Sequence, residues 1–304
     1  MTPIAEAQLH YLVDSIKSHR IAVDAEAQRL RTPEIRASFD KKESSSWCIA
    51  AMGDSLVRLR LLLEQNFNFV ETMGVIAVSR YLFEMSVWLG LFARDERYGL
   101  VYYGQLLETQ QKYYADYLAQ LHREVQMLQT FERKEKEAQR MAIEGSRPAD
   151  LGERLRSTAN VIDAEAARRF SLYAEQARRN GYGFQAHLVE KKALPEIQRA
   201  LYEVRAEQVA FDADVLPKIR DLALGKDGKK KRWEWKRMAE TADLLPEYDF
   251  IYAFASKLLH ATPASITTNQ KNLEPGEMIL FLRYIDVKVK DMLDLASRYP
   301  SGDA

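Results

Sequence analysis

Between Glu96 and Glu144 the chain contains no proline, and its only glycines, Gly99 and Gly104, stand near the start. A run this long without a breaker predicts one very long helix. Within it Tyr114, Leu118, Leu121, Val125 and Leu128 follow a 4-3-4-3 spacing, the seam of a coiled-coil heptad. Glu132 to Arg140, ERKEKEAQR, is charged all round and predicts a solvated surface. Gly145-Ser146-Arg147-Pro148 combines a stop, a cap and a fresh helix start. From Ala149 to Asn180 a second helical pattern carries Leu155, Ala159, Ile162, Ala166, Tyr173 and Ala177 along one side. Two long helices joined by a tight turn predict an antiparallel hairpin, a coiled-coil-like arm. Gly181-Tyr182-Gly183 marks a hinge, and the return helix runs to about Leu224, bent near Pro195 and Pro217.

The flanks read as helices too. Thr2-Pro3 starts the first, which runs to about Arg31 and breaks at Thr32-Pro33. A polar connector, Lys41 to Ser46, leads to a second helix over about Trp47 to Phe69, with Leu56, Leu59 and Leu63 at core spacing. Gly74 to Ala93 is the third and the most apolar. After Gly225–Arg232, a basic loop, a helix starts near Trp233. Pro246 resets the chain into YDFIYAFASKLLH, Tyr248 to His260, which Pro263 ends. A polar loop over 261–276 precedes a last amphipathic helix, about Glu277 to Arg298. Alternating apolar runs bounded by turns are missing, so strands are not expected. The expected fold is all-α: a helical bundle body from residues 1–94 and 225–304, with the long hairpin and its return helix, 95–224, inserted between its halves.

Formal net charge is zero, which argues against a broad nucleic-acid footprint. Cys48 is the sole cysteine, so no intrachain disulfide or thiolate metal cluster can form, and a reducing, cytoplasmic setting is expected. The stretch MTPIAEAQLH lacks the basic and apolar regions of a signal peptide. Gly74 to Ala93 reaches the roughly 20 residues that span a bilayer. Arg80 and Glu84 near its midpoint make a lipid setting costly, so a soluble core helix is expected and no membrane contact.

Those two charges are the strongest chemical signal. Four residues apart, Arg80 and Glu84 share one helix face. A helix apolar on nearly every side is normally buried, and a buried charge needs a partner. Tyr248, Tyr252, Ser256 and His260, each four residues after the last, form a second polar row on an otherwise apolar helix. The rows are expected to face each other in the core. As an active site, His260 would be general acid or base, oriented by Glu84, with Arg80 binding a phosphate-like anion and Ser256 or Tyr252 positioning substrate or acting as nucleophile. As a structural device, the same five groups would fix how two helices pack. Arginine before glutamate is the weaker order for an exposed pair, which favours partners elsewhere over a bridge within the helix. His260 and Glu84 are too few ligands for a metal, and no cofactor is expected.

R-Y-L-F-E (Arg80 to Glu84) followed by Y-D-F-I-Y-A-F-A-S-K-L-L-H (Tyr248 to His260) resembles a family of uncharacterised, mostly bacterial, all-helical proteins with an Arg-x-x-x-Glu helix and a later Tyr-x-x-x-Ser-x-x-x-His helix. The likeness covers about 73–108 and 233–266. It implies that Arg80, Glu84, Tyr252, Ser256 and His260 belong together, and it implies no reaction. A weaker likeness runs to the helical ribonuclease-like domains of bacterial toxin and phage-defence systems. Their signature, an arginine, four to six residues, then a histidine, is missing, since Arg179 and His187 have seven residues between them.

Lys229, Lys230, Lys231 and Arg232, followed by Trp233 and Trp235, offer phosphate attraction beside aromatic rings and so a candidate single-stranded nucleic-acid site. The plainer alternative is a solvated loop whose tryptophans anchor the next helix. Tyr98, Tyr102, Tyr103, Tyr113, Tyr114 and Tyr117 read as packing at the base of the long helix, or as a ligand or interface surface. His10, His19, His122 and His187 stand alone in the sequence. The expected function is a partner-binding or regulatory bacterial protein, with a stress or phage-defence module as its setting and the hairpin as the surface for a protein partner or self-association. The alternative is a phosphate-directed hydrolase or ribonuclease-like enzyme using the Arg80 cluster, so enzymatic activity stays open.

Overall fold

The computed structural model describes residues 3–67, 71–145, 147, 149–260 and 272–299. The expected Thr2 cap, the helix end at Phe69, Ser146 and Pro148 of the turn, and most of the 261–276 loop with Pro263 lie outside the described residues. Among the described residues the regular elements are all helical, apart from one isolated antiparallel bridge between Leu224 and Lys230. The protein is all-α.

In chain order the first five helices are α1 (Pro3–Ser18), α2 (Arg20–Arg29), α3 (Pro33–Ala37), α4 (Ser44–Gln65) and α5 (Thr72–Arg94). The long helix α6 (Tyr98–Gly145) follows, then α7 (Leu151–Ala167), α8 (Ala174–Asn180), α9 (Tyr182–Leu188), a π-helical turn (Val189–Ala193) and α10 (Leu194–Asp214). A 3-10 turn (Leu216–Ile219) leads to α11 (Arg220–Ala223), α12 (Trp235–Thr241), α13 (Leu245–Glu247), a second π turn (Tyr248–Tyr252), α14 (Ala253–Leu259) and α15 (Pro275–Ala296). These elements form two compact units. The body is Met1–Tyr103 with Ala213–Ala304, and the middle unit is Gly104–Asp212.

In the body, α5 packs against α15 and α14, while α1 lies on α15 and α2 on α4. Val75, Ile76, Leu82, Phe83, Val87 and Leu91 of α5 are sealed in that core. By length and composition α5 could cross a bilayer, and 67% of its most apolar window is buried inside the protein. The single first helix expected to run to Arg31 divides instead at His19, whose Nε2 lies 3.0 Å from Asp286 Oδ1 on α15. Arg29 closes the far end of α15: its Nη1 donates to the Tyr299 carbonyl (2.8 Å) and its Nη2 to that of Ala296 (2.7 Å). A cation there suits the negative end of the helix dipole and satisfies orphan carbonyls.

Gly99 marks the tightest helix approach in the body. A methyl group at its Cα would press into the Ser44 carbonyl oxygen and stand 2.9 Å from Cys48 Sγ. Backbone cannot swing aside as a flexible side chain can. Gly99→Ala is therefore expected to destabilise the body by about 1–3 kcal/mol, although alanine is the better helix former. Chemical denaturation checks this, and an unchanged midpoint would mean that α4 can withdraw freely. Burial also pushes the Cys48 thiol up to about 12, so it is a packing group and not a nucleophile.

The middle unit departs from a simple two-helix hairpin. α7 runs antiparallel to the end of α6, with Lys134 Nζ on Glu165 (2.5 and 2.7 Å) and Arg154 Nη1 on the Gly145 carbonyl (2.8 Å). The rest of α6 is covered by α9 and α10. Phe131 meets Tyr182, Gln129 meets Glu190 and Gln111 meets Gln208, so the numbers rise on one side as they fall on the other. The long helix thus has two antiparallel partners in series. The second helix expected over 149–180 stops at Ala167 and resumes only at Ala174.

Glu124 of α6 holds that interruption. Its side chain is 1% exposed; it accepts Ser171 Oγ (2.6 Å), the Leu172 backbone N–H (3.0 Å) and Gln120 Nε2 (2.9 Å). The heptad seam does pack as a core: Leu121, Val125 and Leu128 are buried with Ile162, Ala166 and Ala177. The π turn at Val189–Ala193 falls just before Pro195, whose missing N–H removes one rung of the ordinary helical ladder.

Candidate functional site

α5 and the helix beginning at Tyr248 bring Arg80, Glu84 and Tyr252 together. Arg80 Nε donates to Glu84 Oε1 at 3.1 Å, and its Nη2 reaches the Tyr252 hydroxyl at 3.4 Å. The guanidinium carbon also lies 4.9 Å from the centre of the Tyr252 ring, a cation–π contact. The expected sealed pair is corrected here: the side chains of Arg80 and Glu84 are 25% and 27% exposed, at the edge of the core. The core side of α5 is taken by Phe83, and the polar row comes out at the rim. Arg80 has the partner elsewhere that its order before Glu84 suggested, Tyr252, and it bonds Glu84 within the helix as well.

The second polar row does not survive as a row. Tyr248 to Tyr252 form a π turn and only Ala253–Leu259 are α-helical, so the four-residue stagger expected from Tyr248 to His260 is broken. π turns of this kind are frequent at functional sites. Here the turn stacks Tyr248 on Tyr252, with centroids 5.1 Å apart and planes at 18°. His260 is the C-terminal cap of α14, with extended backbone (φ −93, ψ 143) and an exposed side chain. Glu84 gives its carboxylate to Arg80 and not to His260. Ser256, half-buried one turn before His260, makes no side-chain hydrogen bond among the described residues. Burial pushes the Tyr252 phenol up, against the lowering pull of Arg80, so it stays protonated at neutral pH. The Arg80, Glu84 and Tyr252 group is a neutral clamp around an ion pair.

An aromatic stack extends from this clamp. Phe83 supports Tyr252 at 5.3 Å, and Tyr252 meets Trp235 at 6.2 Å. Trp235 meets Trp233 edge-on at 5.4 Å, and Trp233 stacks on Trp88 of α5 at 4.0 Å and 13°. The Arg80 cluster and the basic loop, separate in the sequence, are therefore ends of one ring network. The loop itself is a tight turn. Gly225 N–H donates to the Lys229 carbonyl (2.8 Å), Gly228 takes φ 73, and Lys231 N–H donates to the Ala223 carbonyl (2.7 Å). Lys229, Lys230 and Arg232 are exposed, while Lys231 is half-buried with its Nζ on the Asp221 carbonyl at 2.6 Å. Trp233 has one face committed to Trp88 and serves as an anchor.

Sequence spacing had no access to a third cluster. Asp286 on α15 is 7% exposed and accepts from Ser15 Oγ (2.8 Å), His19 Nε2 (3.0 Å) and Lys290 Nζ (2.6 Å). Serine, histidine and aspartate meet here, but in the wrong order for nucleophilic catalysis. The serine bonds the carboxylate, whereas an activated serine needs the imidazole. Among the described residues no group of three or more histidine, cysteine or acidic side chains is placed to hold a metal ion. No protein-family model matches the chain, and neither a curated protein nor a solved structure matches it.

Proposed function

We propose that the protein is a partner-binding helical protein whose contact surface is the groove between the end of α6 and α7, and whose occupant is an amphipathic helix of another protein. One observation carries this reading. A groove of about 370 Å³ is lined by Ala138, Ile143, Leu155, Ala159 and Ile162, with Ile143 61% exposed, and the same two helices carry Met141 and Val161 at 58% and 66% exposed. Two antiparallel helices leave a channel that suits a third, and recognition of an amphipathic helix by an apolar groove follows that geometry. Glu135 and Arg156 at the groove supply one charge of each sign to set direction.

On this reading the Arg80, Glu84 and Tyr252 group is a structural clamp of the body. The enzyme alternative asks Glu84 to aim His260, and Glu84 is engaged with Arg80. A photo-crosslinking residue placed at Val161 of the full chain tests the proposal in cells. One discrete protein adduct is expected, at least about tenfold weaker when Ile143→Asp is added, and missing from the same probe at Tyr11 in the body. Adducts of equal strength at Val161 and Tyr11, or an adduct indifferent to Ile143→Asp in a chain of unchanged helicity, would overturn it.

A further inference from the structure

A second concavity of the middle unit has a different chemistry. It measures about 560 Å³ and lies between one face of α6 and the chain leaving α7, within the size range of small-molecule sites. Met127 and Phe131 form its apolar base, and Arg123, Lys134, Arg169 and Phe170 surround it, with Glu165 as the one acidic group at its rim besides the buried Glu124. Three features set it apart from ordinary charged surface.

First, its cations are unequally engaged. Lys134 is held by both oxygens of Glu165. Arg123 donates Nε and Nη2 to the neutral Gln120 Oε1, at 3.0 and 2.7 Å. The Arg169 guanidinium feels the field of Glu165 but makes no side-chain hydrogen bond or ion pair among the described residues. Two guanidinium groups thus face the cleft without a carboxylate bound to either. Second, Phe170 beside Arg169 is 83% exposed, more than any other large apolar side chain among the described residues. A ring so exposed loses the gain of burial unless something covers it. Third, the backbone that carries Arg169 and Phe170 is anchored: Ser171 and Leu172, directly after them, are tied to the buried Glu124 carboxylate. The helix break described above therefore carries a guanidinium and an aromatic ring on one anchored stretch of backbone at the edge of the cavity.

We infer that this cleft binds a nucleoside phosphate, with the base stacked on Phe170 and the phosphates held by Arg169 and Arg123. Guanidinium is the side chain best matched to phosphate oxygens, and an aromatic face takes any base. This inference is independent of the partner-helix groove, which lies nearer the turn that joins α6 to α7.

Calorimetric titration of the full chain with adenosine triphosphate, tripolyphosphate and adenosine tests it. Adenosine triphosphate should bind, with tripolyphosphate and adenosine each at least about tenfold weaker, because each lacks one half of the contact. Arg169→Ala and Phe170→Ala should each weaken the nucleotide by about tenfold, while Phe170→Tyr, which keeps the ring, restores it. Tyr202→Ala, at another exposed ring, on α10, should change nothing. Arg169 and Phe170 are surface groups, and an unchanged melting curve confirms that the variants fold. Absence of heat with the nucleotide would overturn the inference. So would tripolyphosphate binding as tightly as the nucleotide, indifference to Phe170→Ala, or preference for an acidic aromatic peptide over the nucleotide.

Discussion

Phe83→Ala is expected to destabilise the body by about 3–5 kcal/mol, the usual cost of emptying a phenylalanine site in a packed core. Phe83 is fully buried on α5 and supports Tyr252 at 5.3 Å and Tyr248 at 6.2 Å. Its loss leaves a cavity beneath the clamp, which the π turn cannot fill without breaking the tyrosine stack. Arg80→Ala, one turn away, should cost no more than about 1 kcal/mol, as befits an ion pair in contact with water. The comparison is direct, because all four tryptophans (Trp47, Trp88, Trp233 and Trp235) lie in the body and their fluorescence follows its unfolding alone. If the two variants shifted the urea midpoint equally, the polar clamp would be holding the helices and the description of a rim pair would fail.

Asp286→Ala is expected to cost about 3 kcal/mol, because it strands buried donors that the carboxylate now satisfies. The same group gives the body a defined response to acid. Burial pushes the Asp286 carboxyl up, but the hydrogen bonds from Lys290, Ser15 and His19 outweigh it and leave the pKa below its ordinary value. A carboxyl depressed in the folded state stabilises above its unfolded pKa, about 4, and that stability is lost as pH falls through the folded value. Wild type should therefore lose stability below about pH 4 more steeply than Asp286→Asn, which has no charge to protonate there. Parallel profiles for the two proteins would remove Asp286 from the acid response.

The features legible in the sequence were those written as local periodicity. The absence of proline across Glu96–Glu144 was enough for α6, and the heptad at Leu121, Val125 and Leu128 identified residues that are buried. The break at 168–173 was not legible, because nothing in RRFSLY announces a stop. The cause is Glu124, more than forty residues earlier, whose carboxylate competes with the helix for Ser171 and Leu172. His19 failed to stand out for the same reason, since its partner is 267 positions away. Of the candidate cluster, Arg80, Glu84 and Tyr252 do meet. His260 dropped out of the row because the helix ends at Leu259 and His260 takes extended backbone, so the four-residue stagger stops one position short of it.

The division of the chain also bears on its synthesis. The middle unit is one contiguous segment, Gly104–Asp212, with a core of its own. The body draws α5 from the first third of the chain and α15 from the last, and Arg29 and Asp286 bond across that separation. Long-range closure of this kind waits for its second half and is slow to form, whereas segments that satisfy themselves locally fold early. On a translating ribosome the middle unit can therefore reach its native form while α5, the most apolar helix, is still without α14 and α15. A nascent chain whose first 212 residues have emerged from the ribosome carries a complete middle unit and an apolar α5 still without α14 and α15. That interval is when the protein depends most on a chaperone.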